Sequence, residues 1–377
     1  MKIAINGIYL NFKKKNDGIG RYSESLLKEF QQYNEIKFYV FIDRYFKLKG
    51  IKNNFSKNII PVFIPFPTFH IFLLKFWNRY IIPLLLKMLN ADLYFAPDAL
   101  SSYKGAKKYV STIHDLAFLH FPENVLPEFR KMYNKEYKQA ALHSDLLITV
   151  SHYSKNDILN SYHIEQNRIK VIYNGVSNHF KTTEVNEQSE ILQKYNLDSD
   201  YIFYFGTIEP RKNLITLLKA FEKVRETKKL KLVITGKEGW LYSDFMESVN
   251  KSKYKNEIIL TGYLKDAEVK TLLLNAKVFT YIPVFEGFGL PVVEAMAMGK
   301  WIVTSNTSSI PELIDPDTIT VDPKDYNAVA EAIKIQLVNA KQNPVNKLAI
   351  KKSENFTWQK SAKQHIEEFY KLVNNKK

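Results

Sequence analysis

The stretch Phe285-Glu286-Gly287-Phe288-Gly289-Leu290-Pro291, running on through Val292-Val293-Glu294-Ala295-Met296-Ala297-Met298-Gly299, decides how this chain is read. It follows an apolar run, Val278 to Val284, that reads as a buried strand of a parallel sheet. Pro291 suits the first position of a helix, where its missing N–H costs nothing, and Gly299 suits the stop. Strand, glycine-bearing loop and helix in that order make an anion site. Backbone N–H groups of Phe288, Gly289 and Leu290 stand at the helix start, where a phosphate can accept from them. Gly287 and Gly289 lack Cβ atoms and let a ligand approach the main chain closely. Glu294 falls in the first turn or so of the helix, where the macrodipole alone accounts for an acid. Glu286, in a glycine-flanked loop beside an aromatic, is not accounted for in that way. One carboxylate could hold a sugar hydroxyl while the other holds a ribose diol.

Working outward, strands and helices alternate on both sides of this segment. Lys2 to Asn6, Lys37 to Ile42, Asp92 to Ala96, Lys108 to Ile113, Asp145 to Val150 and Arg168 to Tyr173 read as strands of a first sheet. Tyr201 to Phe205, Lys231 to Thr235, Glu257 to Thr261, Lys277 to Ile282, Trp301 to Ser305 and Thr318 to Val321 read as strands of a second. Such alternation argues for an α/β chain with two doubly wound parallel sheets. The charged, asparagine-bearing stretch Asp43 to Asn58 reads as mobile surface, and Phe69 to Asn90 as an apolar helix or helix pair. The latter is either a core helix under the first sheet or an exposed aromatic-and-basic face resting on a bilayer. The expected division is a first domain over 1–180, a polar, turn-rich linker over 181–200 and a second domain over 201–355. A closing helical segment follows over 356–377.

Composition excludes several classes. A chain of 377 residues suits about two domains at roughly 150 residues each. With no cysteine, thiolate metal sites, disulfides and cysteine nucleophiles are excluded. A net charge of +15 suits phosphates, on a nucleotide or on an anionic membrane surface, although compositional drift toward lysine would also give it. Lys13 to Lys15, Lys75, Arg79, Lys87, Lys104, Lys107 and Lys108 are the cations that could meet such a surface, a solvated face being the plainer reading. No clustered basic module for nucleic acid is visible. The apolar start of the chain is interrupted by Asn6 and Gly7 and followed by lysines, so it reads as a first strand, not a signal peptide. The apolar region Ile59 to Leu89 is too broken by proline and cations to read as a membrane span.

Chemistry-bearing residues cluster at the ends of the expected strands. Arg211 and Lys212 follow Tyr201–Phe205 at its carboxyl end, where open α/β sheets bind ligands, and two cations there suit a diphosphate. Cations at a helix start are otherwise unfavourable. Gly18 and Gly20 lie between a strand and a helix, a weak signal alone. His114 and Asp115 end another strand, and Asn174-Gly175-Val176 reads as a turn. Asp315-Pro316-Asp317 reads as a turn rather than a metal motif.

The segments EGFGLPVVEAMAMGK (Glu286 to Lys300), TSNTSSIPEL (Thr304 to Leu313) and GTIEPRKNL (Gly206 to Leu214) together resemble retaining glycosyltransferases of the glycogen-synthase-like family 4, most like mannosyltransferase-type members. That resemblance implies the GT-B fold, two Rossmann-like domains facing across a cleft, with the last helix crossing back onto the first domain. It implies transfer of a hexosyl group, mannosyl favoured, from a nucleoside-diphosphate sugar to a hydroxyl of a cell-surface glycan or lipid-linked precursor. GDP-mannose is the favoured co-substrate, with no cofactor and no metal. The roles it implies are catalytic for His114, Arg211, Lys212 and Glu286. Donor binding falls to Gly18, Gly20, Thr207, Tyr263, Phe288, Gly289, Leu290 and Glu294, and the acceptor side to Asp115 and Asn174. The implied place is the cytoplasm, with a peripheral position on the inner face of the plasma membrane left open. A GT-B nucleotide-sugar epimerase and a non-catalytic binding protein are the rival readings.

Overall fold

The computed structural model describes residues 1–11, 18–66, 68, 70–181, 188–239 and 241–374. The chain divides into two units: unit 1 is Met1–Gly175 with Trp358–Lys377, and unit 2 is Val176–Thr357. The division thus falls after Gly175, and the 181–200 stretch lies within unit 2, carrying the helix Gln188–Lys194.

In unit 1, seven strands among the described residues form one parallel sheet: β1 (Lys2–Asn6), β2 (Lys37–Ile42), β3 (Ile59–Phe63), β4 (Leu93–Ala96), β5 (Tyr109–Thr112), β6 (Leu146–Thr149) and β7 (Ile169–Val171). Their order is β3-β2-β1-β4-β5-β6-β7. In unit 2, six form another: β8 (Tyr201–Phe205), β9 (Lys231–Thr235), β10 (Ile258–Gly262), β11 (Val278–Tyr281), β12 (Trp301–Ser305) and β13 (Ile319–Val321), in the order β10-β9-β8-β11-β12-β13. Both orders run outward, return to the middle and run outward again, so each sheet has a point where the winding reverses. In unit 1 it lies between β1 and β4, in unit 2 between β8 and β11. The loops leaving the carboxyl ends of such strands diverge and leave room for a ligand. Strands near these points are buried on both faces, which is why β8 reads as an unbroken apolar run and β11 as one interrupted only by Thr280.

Two segments differ from their sequence reading. β3 was hidden by Pro61, which removes a ladder donor; it is tolerated because β3 is the edge strand of its sheet. The Asp43–Asn58 stretch is not all mobile surface, since it holds the helix Tyr45–Asn54. That helix is pinned by Ile51 and by a buried ion pair, Lys47 Nζ to Asp43 Oδ1 at 2.6 Å, with Thr68 Oγ1 donating to Asp43 Oδ2 at 2.8 Å.

The last helix, Trp358–Asn374, belongs to unit 1 and buries Trp358, Ala362, Ile366 and Phe369 in the core formed by β1, β2 and the helix Gly18–Phe30. A polar chain ties it down. His365 Nδ1 lies 2.8 Å from the Ser361 carbonyl and so donates, which leaves Nε2 to accept from Tyr22 Oη at 2.8 Å. Tyr22 Oη lies 3.1 Å from Thr112 Oγ1, at the end of β5. Burial pushes the His365 imidazole down to about 4, so it stays neutral in this role.

Candidate functional site

The winding reversal in unit 2 brings together the loop after β8 and the loop after β11. The first runs from Gly206 through a short 3-10 turn, Pro210–Lys212, into the helix Leu214–Arg225. The second runs from Ile282 into the helix Leu290–Ala297, with a proline in its first turn and Gly299 left-handed just past its end (φ +64°). The backbones are fastened to each other: Val284 N–H donates to the Arg211 carbonyl at 3.0 Å, and Asn213 Nδ2 donates to Ile282 O at 3.2 Å. The loop after β12 clamps the second from the other side. Ser308 Oγ accepts from the Glu286 N–H at 2.9 Å, and Ser309 Oγ reaches the carbonyls of Glu286 and Phe288 at 2.9 and 2.8 Å.

Within this frame Arg211, Lys212 and Glu286 meet. Lys212 Nζ contacts Glu286 Oε1, Arg211 Nη1 lies 3.4 Å from Glu286 Oε2, and Tyr281 Oη donates to Glu286 Oε1. Glu209 completes the group, 2.8 Å from Arg211 Nη2 and 3.9 Å from Lys212 Nζ. Burial pushes the Glu286 carboxyl up, but the charges of Lys212 and Arg211 and the hydrogen bonds from Lys212 and Tyr281 outweigh it and bring it down to about 2. Burial, and then Arg211, push the Lys212 ammonium down, against the pull of Glu286 and Glu209. Two cations and two carboxylates therefore balance inside a largely dry site. Glu209, Tyr281, Ser308 and Ser309 were not singled out in the sequence, although Glu209 and both serines lie inside the family-like segments.

The other expected donor-side residues distribute as follows. Glu294 is 2% exposed and sits in the second turn of its helix rather than the first. Phe288 is buried edge-on to Phe356, with ring centroids 5.9 Å apart. Leu290 begins the helix. Thr207 is exposed beside β8, and its carbonyl accepts from Tyr204 Oη at 3.0 Å. Tyr263, just past β10, carries the Lys237 ammonium over its ring at 5.8 Å.

Gly289 has a structural duty. Its φ is +112°, and a Cβ there would lie 2.7 Å from Ile310 Cδ1. Gly289→Ala is expected to cost roughly 2–4 kcal/mol, combining backbone strain with overpacking. Denaturant unfolding measures it. Adding Ile310→Val should relieve the clash but not the strain, recovering only part of the loss.

Unit 1 holds the remaining expected residues. Gly18 and Gly20 lie in the first turn of the helix Gly18–Phe30 and not in the loop before it; Asp17 and Lys13 to Lys15 fall outside the described residues. His114 follows β5, and its Nε2 donates to Pro97 O at 2.9 Å, which leaves Nδ1 as an acceptor in the neutral ring. Its ring meets Tyr22 edge-on at 4.8 Å. Asp115 Oδ1 accepts from the Ala117 N–H at 2.9 Å, starting the short helix Ala117–His120. Asn174 is buried, with its Oδ1 making no hydrogen bond among the described residues. At the winding reversal of this sheet sits a carboxylate that sequence reading missed. Asp98 accepts from Tyr9 Oη at 2.6 Å, from Tyr137 Oη at 3.2 Å and from the Ala99 N–H at 2.7 Å, and burial pushes it up. Among the described residues no group of three His, Asp or Glu side chains is placed to hold a metal ion, and no helix is long and apolar enough to cross a membrane.

Known proteins resemble this chain along nearly its whole length. Residues 16–179 match the model of Glycosyltransferase Family 4, and residues 187–355 match Glycosyl transferases group 1. An O-antigen chain mannosyltransferase B of Escherichia coli is 29% identical over 71% of both chains. A serotype-specific mannosyltransferase WbdA of the same organism is 27% identical over 71% of this chain but 34% of its own length. Among solved structures, a sucrose-phosphate synthase of Thermosynechococcus elongatus superposes with a TM-score of 0.79, at 17% identity and full coverage of both chains. The Anabaena protein HepE, solved with UDP and glucose, gives 0.75 at 16% identity, covering 98% of this chain and 100% of its own. These neighbours share the GT-B fold class expected from the sequence. With its two parallel sheets, its carboxyl-end loops and both domain models in order, the chain belongs to the glycosyltransferases, as a Family 4 domain followed by a group 1 domain.

Proposed function

We propose that this chain transfers a mannosyl group from GDP-mannose to a hydroxyl of a cell-surface glycan or its lipid-linked precursor, with retention of configuration and without a divalent ion. The observation that carries the reading is the meeting of Arg211 and Lys212 with Glu286 at the winding reversal of unit 2. The choice of mannose and of a surface glycan is supported by the E. coli relatives named above.

The chemistry follows from the side chains. Breaking the bond between the anomeric carbon and the diphosphate leaves negative charge on the departing oxygen. Two fixed cations lower that barrier, and they need not reorganise as the charge appears. Arg211 offers a planar fork and Lys212 a point charge. Each has a carboxylate partner within the protein, so the donor exchanges contacts. Its diphosphate takes up the cations while its sugar hydroxyls donate to Glu286. Engaged in this way by the sugar hydroxyls, Glu286 serves as a hydroxyl acceptor and not as a covalent nucleophile. The acceptor then attacks on the face the diphosphate leaves, and a phosphate oxygen receives its proton. In unit 1, the free acceptor atom Nδ1 of His114 suits a sugar hydroxyl.

The test is transfer from GDP-mannose, with UDP-glucose as the rival donor, to an acceptor glycan in excess EDTA, with the product anomer assigned by NMR. The expected result is an α-linked mannosyl product at an unchanged rate. An absolute Mg²⁺ or Mn²⁺ requirement, or a glycosylated Glu286 trapped by mass spectrometry, would overturn the mechanism. Donor interconversion with no acceptor consumed would replace transfer by epimerisation.

A further inference from the structure

The helical run 71–89 in unit 1 is α-helical over Ile71–Phe76, widens to a π turn over Trp77–Ile81 and returns to α over Ile82–Leu89. One side buries Trp77, Ile82 and Leu86 against β1, β2 and β4. The other exposes Phe72, Phe76, Tyr80, Leu84 and Met88, with Phe72 and Met88 each about three-quarters open to water. These five stand four residues apart. Such a row drifts around an α-helix by about 40° per step at 3.6 residues per turn. The π turn packs more residues into one turn and offsets part of that drift, so the row makes a continuous apolar ridge.

Cations flank the ridge. Beside it lies a cavity of about 400 Å³ whose lining includes Lys75, Arg79, Lys104 and Lys135, against the one carboxylate of Glu136. Arg79 also lies over the Tyr80 ring at 5.6 Å. The wider charge distribution agrees. Unit 1 carries 30 Lys and Arg against 16 Asp and Glu, net +14, whereas unit 2 carries 24 against 23, net +1. Drift toward lysine across the whole chain would have charged both halves. The excess belongs to the unit that bears the ridge.

We propose that the ridge Phe72, Phe76, Tyr80, Leu84 and Met88 docks on an anionic phospholipid bilayer, its side chains entering among the acyl chains while Lys75, Arg79, Lys104 and Lys135 receive headgroup phosphates. A helix lying in the membrane interface needs this combination of an apolar face and flanking cations. A second copy of the chain would bring the same cations against each other, and a nucleic acid would have no use for the apolar row. The inference does not rest on the sugar chemistry proposed above.

The experiment is flotation of the full chain with phosphatidylglycerol vesicles and with phosphatidylcholine vesicles, at low and high salt. Each cation near an anionic surface strengthens partition by roughly fivefold. The wild-type chain should therefore float with phosphatidylglycerol, at least tenfold more weakly with phosphatidylcholine, and lose most binding in high salt. The triple variant Lys75→Glu, Arg79→Glu, Lys135→Glu should bind at least a hundredfold more weakly. Phe72→Ser, Leu84→Ser, Met88→Ser should lose at least tenfold even at low salt, with an unchanged melting temperature because these positions are exposed. Equal binding by the serine variant, or no flotation of the wild type, overturns the proposal. So does a lipid-free dimer that the serine variant dissolves in sedimentation velocity, which would assign the ridge to a second copy.

Discussion

Glu286→Ala is expected to lower sugar transfer at least a hundredfold and to destabilise unit 2 by roughly 3–5 kcal/mol. The stability loss follows from what stays behind. Lys212 is 8% exposed and Arg211 lies beside it, so truncation leaves two adjacent cations with Glu209 as the remaining carboxylate of the group. Glu286→Gln separates charge from shape, because the amide can still accept from Tyr281 Oη while the ionic partner of Lys212 is gone. Acid titration of stability distinguishes the three proteins. The folded Glu286 carboxyl sits at about 2 against 4.5 for an ordinary glutamate, so its stabilisation is fully present above about pH 4.5 and is lost as pH falls toward 2. A shift of that size corresponds to about 3 kcal/mol, offset in part by the burial of Lys212. Wild type should therefore show a steeper acid limb in denaturant unfolding than either variant. A Glu286→Gln protein with wild-type transfer and a wild-type acid limb would show that the carboxylate has neither role.

The strand–loop–helix around Glu286 was legible because its signals are local. Mostly apolar residues fill β11, glycines punctuate the loop, Pro291 sits in the first turn of the helix and Gly299 lies just past its end. The parallel sheets were legible from alternation alone. What sequence could not supply was which side chains meet across long separations. Glu209 reaches Arg211 from two residues away, yet both matter through Glu286, more than seventy positions on. Ser309 clamps the Glu286 loop from another strand end, and a serine in a polar run carries no mark of that. Asp98 is a similar case: its partners Tyr9 and Tyr137 lie about ninety and forty residues away. The helix Tyr45–Asn54 escaped because Gly50 and its asparagines weaken the pattern, while its fixation comes from the buried Lys47–Asp43 pair. For the run 71–89 the core reading holds on one face, while the other face is open to water. The one-residue-per-turn widening that keeps the open row aligned leaves no trace in composition.

Lys212→Ala should also cost at least a hundredfold in transfer, about 3 kcal/mol of barrier, while moving the acid limb in a way that Glu286→Gln cannot. Without the ammonium, Glu286 keeps Arg211 at 3.4 Å and the Tyr281 hydroxyl, but burial now weighs more heavily against the charged form. Its carboxyl rises from about 2, so the variant begins to lose stability at a higher pH than wild type on acidification. Glu286→Gln has no carboxyl to titrate and flattens the same limb. The double variant Lys212→Ala, Glu286→Gln should therefore be more stable at pH 7 than the sum of the single losses, because neither charge is stranded. Lys212→Arg tests whether charge alone suffices. The ammonium sits 5.6 Å from the centre of the Tyr281 ring in a nearly closed space, and a planar fork needs more room there. The arginine variant is expected to restore most of the acid limb but less than a tenth of the transfer rate. If it restores both equally, the site asks only for a positive charge and the position of Lys212 Nζ carries no catalytic weight.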